Sequence, residues 1–404
     1  MRILFLTYGA PGTPDRGANV RDRELILRVA ERHRVSVLAV LKSAQRDPPE
    51  EALSTNCEVL PPVVVDERRV AAARRAARHV WRRRPLAALP WITDELLQRV
   101  RAATRERDFD IVQVEHSLLA PCLEAVPRRC HSVLSLHNVG TFQFRSMALV
   151  AESVRERALF SLKACLLRRL ESSYAPRFDG VVVVSEDERK LLRRISPGVS
   201  ATVVPNGVDL AAHSPLADDG QPGTLLFVGN LEYAPNAEAV VEFCTTTLPH
   251  LRARIPEARL LVVGVGAPAS VRALAGEGVE VLGRVDRLEQ CYRRAQVVVV
   301  PLRAGGGTRL KALEAMAFGR CVVSTPFGVH GLQVTDGREV LLAEPAAPFA
   351  RRIEQALCSA ELRSRVGKRG RQFVEREHGW DACADRLLGL YAALDGGSSE
   401  PHAQ

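Results

Sequence analysis

The feature that most constrains this chain is a rhythm of short continuous apolar runs set between stretches of helical periodicity. In the first half the runs fall at 2–8 (RILFLTY), 34–41 (RVSVLAVL), 111–114, 132–136 (SVLSL), 181–184 and 201–204. In the second half they fall at 224–228 (TLLFV), 259–263 (RLLVV), 279–282, 297–300 and 321–324. A strand with one wet face alternates apolar and polar residues; these runs do not alternate, so both faces are expected to be buried. Strands buried on both faces and separated by helices imply parallel βαβ units, because a parallel return needs a crossover.

The pattern occurs twice, on either side of a polar break at 213–223 (HSPLADDGQPG). The expected fold is α/β: two Rossmann-like, doubly wound domains at 1–215 and 216–378, facing a central cleft. A closing helix at 379–394 is expected to pack back towards the first domain, followed by a disordered tail at 395–404. In such sheets ligands bind beyond the carboxyl ends of the strands.

The 404 residues suit two domains of this size. The nine cysteines are scattered without a C-x-x-C pair, which argues against a zinc site, and their odd number suits a reducing, cytoplasmic compartment. No apolar run approaches the roughly 18 residues of a membrane span. Net charge is +9, and all of it lies in residues 1–215, with 34 Lys and Arg against 25 Asp and Glu. An Arg-rich solvated surface accounts for this plainly; the sharper reading is an anionic partner, either a phosphorylated acceptor or the inner membrane face touched peripherally. Two basic helical stretches, 68–84 and 145–170, suit that reading. Nucleic acid is not expected, because the aromatics that stack bases make up only 5% of the chain.

The strongest chemical signal is the segment 301–320 (PLRAGGGTRLKALEAMAFGR). A buried strand runs into Pro301, then Gly305, Gly306, Gly307 and Thr308 lead into a helix. Glycines let backbone approach a ligand closely. The helix start after Thr308, with Leu310 among the donor-binding candidates, offers free N–H groups and a positive dipole end to an anion. Arg303, Arg309 and Lys311 add charge, and Glu314 is placed to accept hydrogen bonds from sugar hydroxyls. A plain glycine-rich turn ahead of a core helix is the bland alternative.

At these residues the chain resembles glycosyltransferase family 4, the retaining enzymes of the GT-B fold. The segments VPNGVD (204–209), FVGNL (227–231), VLGRV (281–285) and PFGVHGL (326–332) follow in the family's order. The resemblance implies transfer of a sugar from a nucleoside diphosphate to an acceptor hydroxyl, with anomeric configuration retained, no metal and no cofactor beyond the donor. The acceptor could be a sugar, a lipid-linked group or a small molecule. The resemblance places Asn230 at the turn after the first strand of the second domain and Arg284 beside the nucleotide base. The chain departs from the family in two places. Gly306 stands where the first of two glutamates is usual, and Asn230 begins a stretch that lacks the usual Arg or Lys for the phosphates, so Arg303, Arg309 or Lys311 must substitute. An epimerase or phosphorylase on the same fold, or a catalytically weak donor-binding subunit, stays open.

In the first domain the loop 9–21 follows the first strand, and Gly12 and Gly17 would let it approach the donor. His137, in LSLHN just past a strand end, is the expected catalytic residue, positioning hydroxyls or assisting proton transfer; the resemblance places an active-site histidine there. His116 has a similar setting. Two further motifs carry little. The sequence GVGAPA (264–269) fits a dinucleotide fingerprint, but its strand is not the first of its domain. The D-x-D at 108–110 precedes its strand instead of following it, so no metal is expected there.

Overall fold

The computed structural model describes residues 1–11, 17–42, 51–65, 84–151, 153–276, 278–306 and 309–396. They form two compact units: Met1–Pro205 together with the chain from Asp381 onward, and Asn206–Trp380.

The first unit is built on a seven-stranded parallel sheet with strand order β3-β2-β1-β4-β5-β6-β7. Its strands are β1 (Arg2–Tyr8), β2 (Arg34–Lys42), β3 (Glu58–Val65), β4 (Ile111–Glu115), β5 (His131–Leu136), β6 (Gly180–Val183) and β7 (Ala201–Val203). Ile3, Leu4, Phe5 and Leu6 are all fully buried, so β1 is covered on both faces as its unbroken run requires. The strand of this sheet absent from the sequence reading is β3 (EVLPPVVV). Two prolines in mid-run argue against a central strand, and β3 lies at the sheet edge, where missing N–H donors are tolerated.

The second unit holds a six-stranded parallel sheet ordered β10-β9-β8-β11-β12-β13. Its strands are β8 (Thr224–Val228), β9 (Arg259–Val263), β10 (Val279–Gly283), β11 (Val297–Val300), β12 (Cys321–Ser324) and β13 (Leu341–Leu342). The four valines of β11 are buried on both faces. In each sheet the winding reverses beside the first strand, between β1 and β4 and between β8 and β11. Those are the switch points at which doubly wound sheets open a crevice.

Three boundaries differ from expectation. The units part at Pro205 and Asn206, ten residues before the expected 215/216 boundary. The polar break belongs to the second unit because arginines hold it there: Arg320 bonds Asp218 at 2.6 Å and Arg363 bonds Asp219 at 2.9 Å. The basic stretch 145–170 is not one helix. It divides into Gly140–Val150 and Val154–Tyr174, the second started by Ser153, whose hydroxyl accepts from the Glu156 N–H at 3.1 Å. The last helix runs Trp380–Gly396, so 395–396 are helical instead of tail. From Asp381 on it groups with the first unit, through Asp381 to Arg28 at 2.6 Å and the Tyr391 hydroxyl to Gln113. The other basic stretch, 68–84, lies outside the described residues except for Arg84.

Candidate active site

In the second unit, β11 ends at Val300 and the chain turns through Gly305 and Gly306 towards the helix Leu310–Ala317. Gly305 has φ +120°, and a Cβ there would stand 2.7 Å from the Tyr233 hydroxyl, so conformation and space both require glycine. Arg309 takes the N-cap position. Its Nη1 donates to the Gly306 carbonyl at 2.6 Å, and its guanidinium lies 5.1 Å from the centre of the Phe327 ring. Arg309 therefore closes its own loop.

Lys311 reaches across to the helix Ala234–Glu242, which follows β8. Its Nζ donates to Asn236 Oδ1 at 2.8 Å and lies 4.3 Å from the centre of the Phe227 ring. Gly229 makes the room: a Cβ there would be 2.6 Å from Nζ. Asn236 is held by donating to the Asn230 carbonyl at 2.7 Å, and Asn230 Oδ1 accepts from the Glu232 N–H at 2.8 Å. Lys311 thus ties the helix that follows β11 to the one that follows β8, the strands on either side of the switch point. Burial, reinforced by the charge of Arg309, pushes its ammonium down to about 7. Burial also raises the Glu314 carboxyl, which receives the Tyr292 hydroxyl at 3.4 Å. The charge of Glu314 opposes the Lys311 shift in part, and an ammonium bonded to a neutral amide beside a helix start would gain from the further counter-charge that a phosphate brings.

The first unit holds a different cluster at the ends of its strands. β4 delivers Glu115, β5 leads into His137, and the helix Gly17–Ala30 brings Arg21 and Asp22. His137 Nε2 lies 2.8 Å from Glu115 Oε2 and 3.1 Å from Asp22 Oδ1, and all three residues are at most 9% exposed. Burial opposes charge on the imidazole, but Asp22 and Glu115 outweigh it and push its pKa up to about 9. Asp22 is raised to about 6, first by burial and then by Glu115. Glu115, although buried, is held below its ordinary value by His137 and Gln113. Arg21 donates to the carbonyls of Pro205 and Val204 at 2.8 Å each. Ligand atoms of Asp22, Glu115 and His137 lie within 4.8 Å of one another, close enough to hold a cation. A metal there would have to replace the proton that the two carboxylates now share with Nε2. His137 Nδ1 is buried with no hydrogen-bond partner among the described residues.

The structure sorts the sequence candidates. Asn230, Gly306, Arg309, Leu310, Lys311 and Glu314 gather at the β8–β11 switch point. Leu310 opens the helix with its side chain half-buried against the core. Arg303 is exposed and paired with Glu242 at 2.7 Å, so its charge is already engaged. Arg284 is exposed just past the end of β10. Gly17 opens the first helix, while Gly12, Gly307 and Thr308 lie outside the described residues. His116 differs from His137: burial pushes it down to about 3, and its ring stacks on Tyr8 at 4.9 Å. It is a neutral packing residue. The glycine of the dinucleotide-like GVG also has a packing reason, since a Cβ on Gly264 would stand 1.8 Å from the Gly229 carbonyl.

Sequence reasoning missed Asp22, Glu115, Asn236 and Tyr292. Glu115 left a trace, as an acid at the end of an otherwise apolar strand. Asp22, within RDRE, looks like any solvated helix face.

A family model described as Glycosyltransferase Family 4 matches residues 16–212, and one described as Glycosyl transferases group 1 matches 222–359. Together they take in more than four fifths of the chain. Phosphatidyl-myo-inositol mannosyltransferase of Mycolicibacterium smegmatis is 27% identical over 311 residues, 74% of this chain and 75% of that protein. Among solved structures, sucrose-phosphate synthase from Thermosynechococcus elongatus superposes with a TM-score of 0.75 at 20% identity, over 98% of this chain and 100% of that one. Anabaena HepE in complex with UDP and glucose gives 0.66 at 15% identity, over 97% and 100%. At these identities the structural likeness is one of fold, the GT-B pair of Rossmann-like domains. With that fold and both family models in agreement along its length, this chain belongs to glycosyltransferase family 4.

Proposed function

We propose that this glycosyltransferase moves a sugar from a nucleoside diphosphate to a hydroxyl of an anionic, lipid-linked acceptor, with retention and without a metal. The second unit holds the donor and the first the acceptor. The observation that carries this reading is Lys311, an ammonium whose hydrogen-bond partner among the described residues is the neutral amide of Asn236, beside a helix start at the switch point of a Rossmann-like sheet. In the reaction the bond from the anomeric carbon to the diphosphate breaks, and a bond to the acceptor oxygen forms on the same face. The departing phosphate takes the acceptor's proton. Lys311 and the N–H groups at Leu310 meet the charge that develops on the diphosphate, which is the part a divalent ion plays elsewhere. Of the three cations that could replace the family's phosphate-binding residue, Lys311 is favoured, because Arg303 and Arg309 are engaged with Glu242 and Gly306.

Glu314 receives a ribose hydroxyl, Asn230 and Arg284 border the base, and Gly306 leaves the donor sugar without the usual glutamate. His137, charged and pinned at Nε2, does not act as a base; its Nδ1–H orients a substrate hydroxyl. The relative that acts on a phosphatidylinositol, by its name, supports a lipid-linked acceptor, as does the basic first half.

Thermal shift against UDP-, GDP- and TDP-sugars, followed by product analysis with labelled donor and lipid acceptor in EDTA, tests the reading. An α-linked product from an α-linked donor is expected. Donor epimerised without transfer would sink it, and donor binding without turnover would assign the chain to the binding-subunit reading that Gly306 leaves open.

A further inference from the structure

The helix Val154–Tyr174 is apolar on two sides. One side turns inward: Ala164, Leu167 and Leu170 are buried, and the Phe160 ring lies 6.1 Å from that of Phe144 on the preceding helix. The other side carries Val154 and Leu162 at 79% and 57% exposure, Leu159 flanks it at 48%, and Leu149 before it is 85% exposed. These four account for most of the large apolar residues exposed among the described residues, and they lie within one helical hairpin. At 100° per residue Val154, Ala158, Leu162 and Cys165 form one stripe. Exposed apolar residues scattered singly mean little, but a contiguous group on one element does not occur by default.

The rim of this patch has one sign. Arg145, Arg155, Arg157, Lys163, Arg168 and Arg169 are exposed around it. Between residues 140 and 174 the exposed carboxylate among the described residues is Glu156. Glu171 faces inward, accepting from the N–H groups of Gly140 at 2.7 Å and Thr141 at 3.2 Å. Those bonds anchor the hairpin three residues beyond His137. From Gly140 to Leu149 the helix covers about 14 Å at 1.5 Å per residue. One end of the hairpin thus starts at the candidate acceptor site, and the other offers bare leucine and valine ringed by arginine.

We propose that the hairpin 140–174 seats this enzyme on an anionic lipid surface, with Leu149, Val154, Leu159 and Leu162 entering the headgroup boundary and the arginines meeting lipid phosphates. The proposal deepens the reading of a lipid-linked acceptor and rests on it, since a hairpin resting on the bilayer keeps the His137 end near the headgroups. Charge selects the occupant. A second copy meeting this face about a two-fold axis would set the same six cations against their equivalents, whereas an anionic leaflet complements them.

The test is co-sedimentation of the full chain with vesicles of phosphatidylcholine alone and of phosphatidylcholine mixed with phosphatidylglycerol. The wild type is expected to bind the mixed vesicles. The triple variant L149D/V154D/L162D is expected to bind them about tenfold less or weaker still, since three apolar insertions are replaced by like-charged repulsion. Its melting temperature and its thermal shift with nucleotide sugar should match the wild type. Arg155→Glu with Arg157→Glu should weaken binding to the mixed vesicles only. A triple variant that sediments like the wild type, a wild type that stays in solution, or a variant that loses only self-association in analytical ultracentrifugation overturns the proposal. A wild type that binds vesicles but shows no shift with any nucleotide sugar would instead remove the transferase reading and leave the surface standing.

Discussion

The two units follow one plan, yet their polar clusters are balanced in opposite ways. In the first, His137 lies between Glu115 and Asp22, with Arg21 alongside, and the charges close on themselves. In the second, Lys311 is bonded to neutral Asn236 while burial and Arg309 push its proton off. A closed cluster holds geometry, whereas a cluster short of negative charge is ready to take an anion. The same strand-end position in the same type of sheet can therefore serve either purpose, and the local charge balance decides which.

The sharpest way to break this contrast is His137→Ala. It leaves two carboxylates buried against each other, and losing one partner of a buried pair costs about 3–5 kcal/mol. Urea unfolding should show that loss in the first unit, with a good part recovered when Asp22→Asn is added. Lys311→Ala should do the reverse. It removes a desolvated cation, so the melting temperature should hold or rise. Donor affinity should fall roughly 10- to 100-fold, as for one charge-assisted hydrogen bond of about 1.5–3 kcal/mol. Calorimetric titration with the donor identified by thermal shift measures it, and unchanged affinity would remove Lys311 from the site.

Raising the pH separates the units next. The pKa of His137, about 9 in the folded chain, lies above the ordinary 6.5, so its contribution is full below pH 6.5 and is lost as pH rises to 9. The pKa of Lys311, about 7, lies below the ordinary 10.5, so its cost is full below pH 7 and is relieved as pH rises. Between pH 7 and 9 the first unit should lose, and the second gain, about 2 kcal/mol. Hydrogen exchange read by mass spectrometry and corrected for intrinsic rates should show peptides of the two units moving oppositely. Donor binding should take up a proton over the same range, visible as buffer-dependent heats. The smallest effect belongs to Arg303→Ala. An exposed ion pair contributes about 0–1 kcal/mol, so donor affinity should stay within about fivefold of wild type by the same titration.

Much of this was legible because parallel strands buried on both faces write themselves as unbroken runs, such as VVVV at β11. The division of the hairpin 140–174 was also on the page, as S-x-x-E at Ser153 and Glu156, a capping box inside what reads as one long helix. β13, two residues long, carries no periodicity at all. At the candidate site, strand-end position pointed to His137 and the glycine-to-helix pattern pointed to Lys311. The partners that set their charge were not legible. Asn236 lies 75 residues from Lys311, and Glu242 takes Arg303 out of consideration from 61 residues away. Such pairings follow from the winding order of the sheet, which local pattern does not express.

The prolines of β3 have one more consequence. The pairing with β2 slips there, from Leu38 with Leu60 to Val40 with Val63, and Pro61 and Pro62 sit exposed on the rim of the sheet. A rim with two donors missing and a kink in its middle is a poor template for a stray strand, and the valine-rich sheet behind it would otherwise invite one. The same two residues that concealed β3 from a reader of the sequence also blunt this edge of the sheet against pairing with another chain.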